Sequence, residues 1–268
     1  MNILNLPNNS KCLPPEILAP AGNKASFLAA LAAGADSIYC GMKQFSARME
    51  AKNFSLEELD CLTKLAHGRG VKVYVAFNSL LKTVDLDRAA GFLNALSRWV
   101  KPDGLIVQDI SLVSLARQTG FAGEIHLSTL ANVSFPAALN LIRKKFGINM
   151  VVVPRELNID EIKALAKACP DGLELEVFVH GALCYGVSGR CYWSSFLEER
   201  LASGADASSH AEDSILRRVK NKDFFPARIF PLMFYPRFFY PFPKCGRGRL
   251  KAGKRVPIMF TTRLKHTG

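Results

Sequence analysis

The segment from His180 to Ser194, HGALCYGVSGRCYWS, concentrates residue types that do chemistry. Cys184 and Cys191 stand in a Cys-x6-Cys spacing on a loop rich in Gly and Ser. Two thiolates on such a loop can wrap a soft metal or an iron–sulfur cluster. A cluster normally takes four ligands, so the pair alone is not a site, and reactive or inert thiols are the other readings. Upstream, polar residues recur at the ends of short apolar runs: Asn78, then Gln108 and Asp109, then His126, Ser128 and Thr129, then Arg155 and Glu156. A seventh run carries Glu176 and ends at His180. Polar groups repeated at one end of apolar segments are costly unless paired or used. Each could merely cap the helix that follows; as a set they predict a pocket. His126 and His180 suit acid–base work or the binding of an anion. Arg155 suits a two-pronged grip on a carboxylate or phosphate, and beside Glu156 it equally suits an ion pair.

The elements that must position these groups alternate. Strands are predicted at Glu16–Ala19, Ser37–Cys40, Lys72–Phe77, Gly104–Gln108, Glu124–Leu127, Met150–Val153 and Leu173–Val179. They are short and rich in Val, Ile and Leu, as strands covered on both faces should be. Helices are predicted at Lys24–Ala33, Leu56–Arg69, Leu86–Trp99, Ser111–Gln118, Pro136–Phe146 and Ile159–Cys169. Ser55 with Glu58, and Asn158 with Glu161, have the spacing of capping boxes, and Gly34 and Gly70 punctuate helix ends. Alternation of this kind implies a parallel sheet with right-handed crossovers. The predicted fold is an α/β (β/α) TIM-like barrel, incomplete because only seven strands are legible. A doubly wound open sheet is the alternative; no Gly-x-Gly-x-x-Gly follows the first strand, which argues against dinucleotide binding. Asp36 and Lys72 read as solvated strand edges.

Composition bounds the rest. The chain has 268 residues, 49% hydrophobic and 22% charged, as soluble globular proteins have. No apolar run approaches a membrane span, and Met1–Lys11 lacks the apolar core of a leader, so a cytoplasmic location is expected. Seven cysteines, an odd number without a secretion signal, argue against a disulfide framework. The net charge of +12 would suggest a nucleic-acid partner, but residues 199–268 carry 15 Lys and Arg against 5 Asp and Glu, a net of +10. The remainder is close to neutral.

The His180–Ser194 segment resembles the signature of peptidase family U32, the collagenase-like proteases. Glu176, Phe178, Gly181, Ala182, Leu183, Cys184, Gly189, Cys191 and Ser194 fit that pattern, while Trp193 departs from it. Further family-like stretches are LAPAGN at 18–23, Gly34-Ala-Asp36, Tyr39 with Gly41, FSAR at 45–48, Asn53-Phe54, Asn78, Gln108-Asp109, HLST at 126–129 and Arg155-Glu156. The resemblance covers roughly Leu13 to Leu197. It implies a barrel domain over 13–198 behind a short N-terminal tail, 1–12. It implies a 4Fe-4S cluster held by four cysteines, with Cys184 and Cys191 as the first two. It further implies hydroxylation of pyrimidines in tRNA or rRNA, with prephenate as a co-substrate, or action on a quinone precursor. A partner subunit of the same family is also implied. The peptidase label is older, and the sequence shows no Ser-His-Asp or HExxH arrangement to support it.

The tail, 199–268, departs from the family. A segment like Arg-Gly-x-Cys-x-Gln-Pro-Cys-Arg-Arg is expected some 15 residues after Cys191, yet residues 199–213 read ERLASGADASSHAED, without cysteine. The stretch FYPRFFYPFP at 234–243 has neither helical nor strand periodicity. Back-translated into the neighbouring frame, residues 198–215 can read Arg-Gly-Arg-Cys-Val-Gln-Pro-Cys-Arg-Arg within a longer match, which restores both cysteines. A frameshift near Leu197–Glu199 is therefore expected, with a tail not selected to pack. The alternative is a genuine basic extension that binds RNA or a membrane surface.

Overall fold

In the computed structural model, the described residues are 16–47, 51–181, 186–190 and the backbone of 260–264. Seven parallel strands alternate with helices and curl into a TIM-like barrel. They are β1 (Glu16–Ala21), β2 (Ser37–Gly41), β3 (Lys72–Phe77), β4 (Gly104–Val107), β5 (Glu124–Leu127), β6 (Met150–Val152) and β7 (Glu174–His180). The helices are α1 (Lys24–Ala32), α2 (Leu56–His67), α3 (Leu86–Ala95), α4 (Ser111–Gln118), α5 (Pro136–Phe146) and α6 (Ile159–Lys167).

Local chemistry explains the ends. Ser55 accepts from the Glu58 amide while the Glu58 side chain accepts from the Ser55 amide, the capping box read from sequence. Asn158 and Glu161 repeat it on α6. Asn23, the last residue of the LAPAGN stretch, caps α1 by accepting from the Ser26 amide. Gly34 and Gly70 end their helices at φ of 78° and 71°. The long helix predicted over Leu86–Trp99 is α3 followed by a π turn, Leu96–Val100, that ends at Lys101 in the left-handed region with φ of 51°.

The strand register sorts side chains into two faces. Ile38, Val73, Val75, Leu105, Val107, Ile125, Leu127 and Val151 point outward and form the main core with Phe27, Leu59, Leu93 and Leu139 from the helices. On the inner face Leu18, Tyr74 and Ile106 form a small separate cluster, with Tyr39 packed against it. Among the remaining inner positions, Glu124 and His126 on β5 and Glu174 and Glu176 on β7 are polar. Ile106 is in register with His126, His126 with Met150, and Met150 with Glu174. The strands were expected to be apolar on both faces; the inner face departs from this at Glu124 and His126, where the carboxylate and the ring bond one another at 2.8 Å and so offset the cost of burial.

One element has no counterpart in the sequence reading. Residues Phe260–Leu264 form β8, antiparallel to both β7 and β1, and bridge the gap between them. The tail was expected to pack nowhere, and at these five residues it does. Open edges on β1 and β7 offer unpaired backbone groups to any extended strand, which is reason enough for pairing without sequence specificity. Asp36 and Lys72 are also more than solvated edges: Asp36 accepts from the Ile17 amide at 2.8 Å, and Lys72 Nζ lies 4.0 Å from Glu16.

Candidate functional site at the barrel mouth

The loops that follow the parallel strands meet at the C-terminal end of the barrel, where this fold places its chemistry. Asn78, Gln108 and Ser128 continue the inner faces of β3, β4 and β5 and form an arc at the mouth. Gln108 and Ser128 are buried. Asn78 accepts from the Ala47 amide at 2.9 Å, which ties the loop after β2 to β3. That loop contains a strained residue. Phe45 has φ of 59°, a conformation rare for a bulky side chain. Its ring holds the strain in place: it stacks on Phe77 at 4.9 Å, meets Phe92 edge-on at 5.7 Å and lies under the Arg88 guanidinium at 5.1 Å. Gly41 is required beneath it, because a Cβ there would sit 2.5 Å from Ser46 Oγ and 2.9 Å from Asn53 Oδ1.

Two of the predicted residues do local work. Asp109 accepts from the amide and hydroxyl of Ser111 at 2.9 and 2.7 Å and so tethers the start of α4. Ser128 accepts from the Leu130 amide at 3.2 Å and caps the 3-10 turn Thr129–Ala131, in which Thr129 is buried.

His126 lies one layer below the mouth, in the lumen, with no exposed surface. Its Nε2 is 2.8 Å from Glu124 Oε2, and its ring is 4.5 Å from that of Tyr74, whose hydroxyl is 3.5 Å from the same carboxylate oxygen. Gly104 makes room for this group: a Cβ there would be 3.0 Å from Tyr74 and 2.8 Å from the Glu124 carbonyl. Tyr74 and Glu124 were not singled out from sequence, although their period-2 spacing from recognised residues marks them. Glu176 is buried on β7, in register with Val152, while His180 stands exposed at the strand's end.

The turn after β6 separates Arg155 from Glu156. The Glu156 carboxylate accepts from both the amide and the hydroxyl of Ser188, the latter at 3.0 Å. Arg155 does not pair with it. The Arg155 Nε is buried and makes no hydrogen bond among the described residues. Of the two readings the sequence left open for Arg155, the ion pair with Glu156 is thus not the one the structure adopts. Next to Ser188, Gly189 has φ of +71°, and a Cβ on it would lie 2.2 Å from the Leu130 carbonyl oxygen. The Ser188–Gly189 turn was missed from sequence; its glycine was noted only as part of the signature.

Cys184 and Cys191 lie outside the described residues. The cysteines that are described do not extend their set. Cys40 is buried on the outer face of β2, donates to the Tyr74 carbonyl at 3.8 Å, and has its thiol pushed up to about 12 by burial. Cys169 is buried and donates to the Leu173 carbonyl at 3.2 Å; burial raises its pKa as well. Cys61 is exposed on α2. Among the described residues no three His, Cys, Asp or Glu side chains gather as a metal site would need. A four-thiolate set is therefore not completed by them. At the opposite end of the barrel, His67, Gly70, Val71, Lys72 and Asp103 line a cleft of about 250 Å³. There His67 Nε2 meets Asp103 at 2.9 Å, and Asp103 also accepts from the Val73 amide, an arrangement that ties α2 to the sheet. Among the described residues, no helix is long and apolar enough to cross a membrane.

The profile of peptidase family U32 matches residues 22–209. The chain belongs to peptidase family U32. Among its U32 relatives, tRNA hydroxylation protein P of Haemophilus influenzae is 38% identical over 69% of this chain and 40% of its own length. A collagenase of Porphyromonas gingivalis is 34% identical over 78% of this chain and 51% of its own. A 23S rRNA 5-hydroxycytidine synthase of Escherichia coli is 34% identical over 72% of this chain and 28% of its own. This U32 chain thus spans about half or less of the length of these relatives. A solved U32 peptidase structure superposes with a TM-score of 0.50 at 17% identity, over 59% of this chain and 66% of that one, which supports the shared fold.

Proposed function

We propose that the intact protein takes part in hydroxylating pyrimidines of tRNA or rRNA, at the barrel mouth and with a 4Fe-4S cluster as cofactor. The observation that carries this reading is Arg155, a cation at the mouth whose neighbour Glu156 is already engaged and whose buried Nε is unspent. Such a group suits a carboxylate, as on prephenate, or an RNA phosphate, by two parallel hydrogen bonds. The names of the relatives from H. influenzae and E. coli support RNA as the substrate class. In this reading Asn78, Gln108 and Ser128 shape the pocket wall, His180 faces the open end, and the lumen pair His126–Glu124 supports the floor. The cluster would supply redox chemistry when bound. The residues described here do not complete its ligands, so no step is routed through it.

In the same proposal the tail 199–268 is out of frame from near Leu197, and the chain lacks the second pair of cluster cysteines. Nucleotide sequence across codons 190–230 tests this directly; a stop codon in the shifted frame within those codons would defeat it. The activity is tested by expressing the chain as it stands, and the frame-restored chain, in a bacterium lacking its own RNA hydroxylation protein. Mass spectrometry of RNA nucleosides should find hydroxylated pyrimidine with the restored chain only. Its absence from both would refute the hydroxylation reading. The collagenase relative supports the alternative, a peptidase; gelatin cleavage abolished by Cys184→Ala or His180→Ala would favour it.

A further inference from the structure

The geometry points to the gap between β1 and β7 as an acidic strand-binding slot, which selects an extended segment by one cationic residue and which Phe260–Leu264 occupies with Arg263 at the selecting position. The antiparallel register sets residue 263 opposite Glu16 on β1 and opposite Glu176 on β7. Two residues away it sets Thr261 opposite Leu18 and Phe178, and the row between sets Thr262 opposite Ile17 and Val177. Glu16 lies two residues from the inward Leu18, and Glu176 two from Glu174, which is in register with Met150 and His126 on the inner face. Both glutamates therefore stand on the inner face. Residues directly opposite in an antiparallel pair share a face, which places residue 263 there as well.

Burial makes the row selective. Glu176 is 4% exposed and the Glu16 side chain 13%, with Lys72 Nζ 4.0 Å from Glu16. Carboxylates so far removed from water are costly unless opposite charge or hydrogen bonds offset them. Open strand edges explain why a strand pairs in the gap, and the acidic row explains its register. A slip by one residue would set Thr262 or Leu264 between the two glutamates and turn residue 263 to the outer face. A slip by two would set Thr261 there, or carry Arg263 into the row of Leu18 and Phe178. The observed register keeps the cationic residue on the acidic row and Thr261 on the apolar one. The selecting residues belong to β1 and β7, so the demand is a property of the barrel, whether or not the tail is in frame.

Charge at position 263 tests the slot in the full chain. The readout is amide hydrogen exchange of peptides covering 16–18 and 174–180, with peptides covering 72–77 and 104–107 as the internal reference for global stability. Arg263→Glu puts like charges directly opposite on both sides, so exchange in both edge segments should speed up on the order of tenfold while the reference peptides hold. Arg263→Lys keeps the cation and should stay near the parent. Arg263→Gln removes the charge without adding repulsion and should fall between the parent and Arg263→Glu. Edge segments that exchange alike in the parent and in Arg263→Glu would overturn the inference, as would an Arg263→Lys chain as fast as Arg263→Glu. Should Arg263→Glu not fold, an Arg263→Gln chain unchanged from the parent would do the same. The readout involves neither RNA nor turnover, so loss of the hydroxylation reading alone would leave it as expected.

Discussion

Substitution of Gly189 by alanine separates two costs that usually arrive together. At φ of +71° an L residue pays about 1–2 kcal/mol for the left-handed backbone. The new Cβ would also fall 2.2 Å from the Leu130 carbonyl oxygen and 3.1 Å from its carbon. Those are backbone atoms, which cannot swing aside, so the turn must lift by roughly an ångström to reach ordinary contact. Such a lift stretches both Ser188–Glu156 bonds, each a hydrogen bond to a charged group and worth about 1.5–3 kcal/mol. Undocking the turn relieves the contact and the backbone strain at once, and it exposes little core, since Val187 is already 50% exposed. Gly189→Ala should therefore increase hydrogen exchange across 186–190 at least tenfold while leaving the melting temperature almost unchanged. Gly34→Ala is the control: its φ is +78° and nothing lies within 4 Å of its added Cβ. It sits in the framework and cannot escape locally, so it should cost about 1 kcal/mol globally, or roughly 2–4 °C, with the turn still protected. Thermal melts with peptide-resolved exchange on both variants decide the matter. A protected turn in Gly189→Ala, or a global loss larger than that of Gly34→Ala, would refute the reasoning.

Other expectations follow from the same geometry. Gly104→Ala should destabilise the barrel by about 1–3 kcal/mol in urea unfolding, because its Cβ overpacks the Tyr74–Glu124 contact, where one of the two nearest atoms is a carbonyl 2.8 Å away. Arg155→Ala should weaken binding of a dicarboxylate or of RNA, measured by calorimetry at fixed salt, with little loss of melting temperature, since the buried Nε has no hydrogen-bond partner among the described residues. Iodoacetamide under native conditions should label Cys61 and spare Cys40 and Cys169, whose thiols are buried and bonded to carbonyls. The Cys40 pKa is raised in the folded state from 9.0 to about 12, so its contribution to stability is complete below pH 9 and lost as pH rises toward 12. Between pH 8 and 10.5 the parent should therefore lose about 2 kcal/mol more than Cys40→Ala, as read by urea unfolding at each pH.

Much of this molecule is written locally. Helix starts at Ser55 and Asn158 follow from side chains that reach an amide three residues away, so their capping boxes needed no tertiary context. The strands Lys72–Phe77 and Glu124–Leu127, and the helices Ser111–Gln118 and Pro136–Phe146, carry their bounds in composition and periodicity. The alternation of these elements determines a parallel sheet, while its curling into a barrel rather than an open doubly wound sheet is decided in the tertiary structure. What alternation does not reveal is the character of the inner face. Glu124, His126, Glu174 and Glu176 look like interruptions of apolar runs until the ring closes and brings them to one lumen.

The polar set at the strand ends was legible as a group and not as individuals. Sequence placed Asp109 and Arg155 on equal terms, yet one tethers a helix through a residue two positions on, while the other leaves a buried Nε without a hydrogen-bond partner among the described residues. Arg155 and Glu156 are adjacent and of opposite charge, which suggests a pair. Instead Glu156 bonds a serine 32 residues away. Sequence by itself determined the elements, their caps, the family motifs and the set of residues that would reach the mouth, because those depend on interactions a few residues long. Only the tertiary structure decided which of them face the lumen, which merely hold loops, and that a short antiparallel strand would fill the gap between β7 and β1. Those outcomes depend on segments far apart in the chain meeting in one register, and the pattern along any single segment carries no record of that meeting.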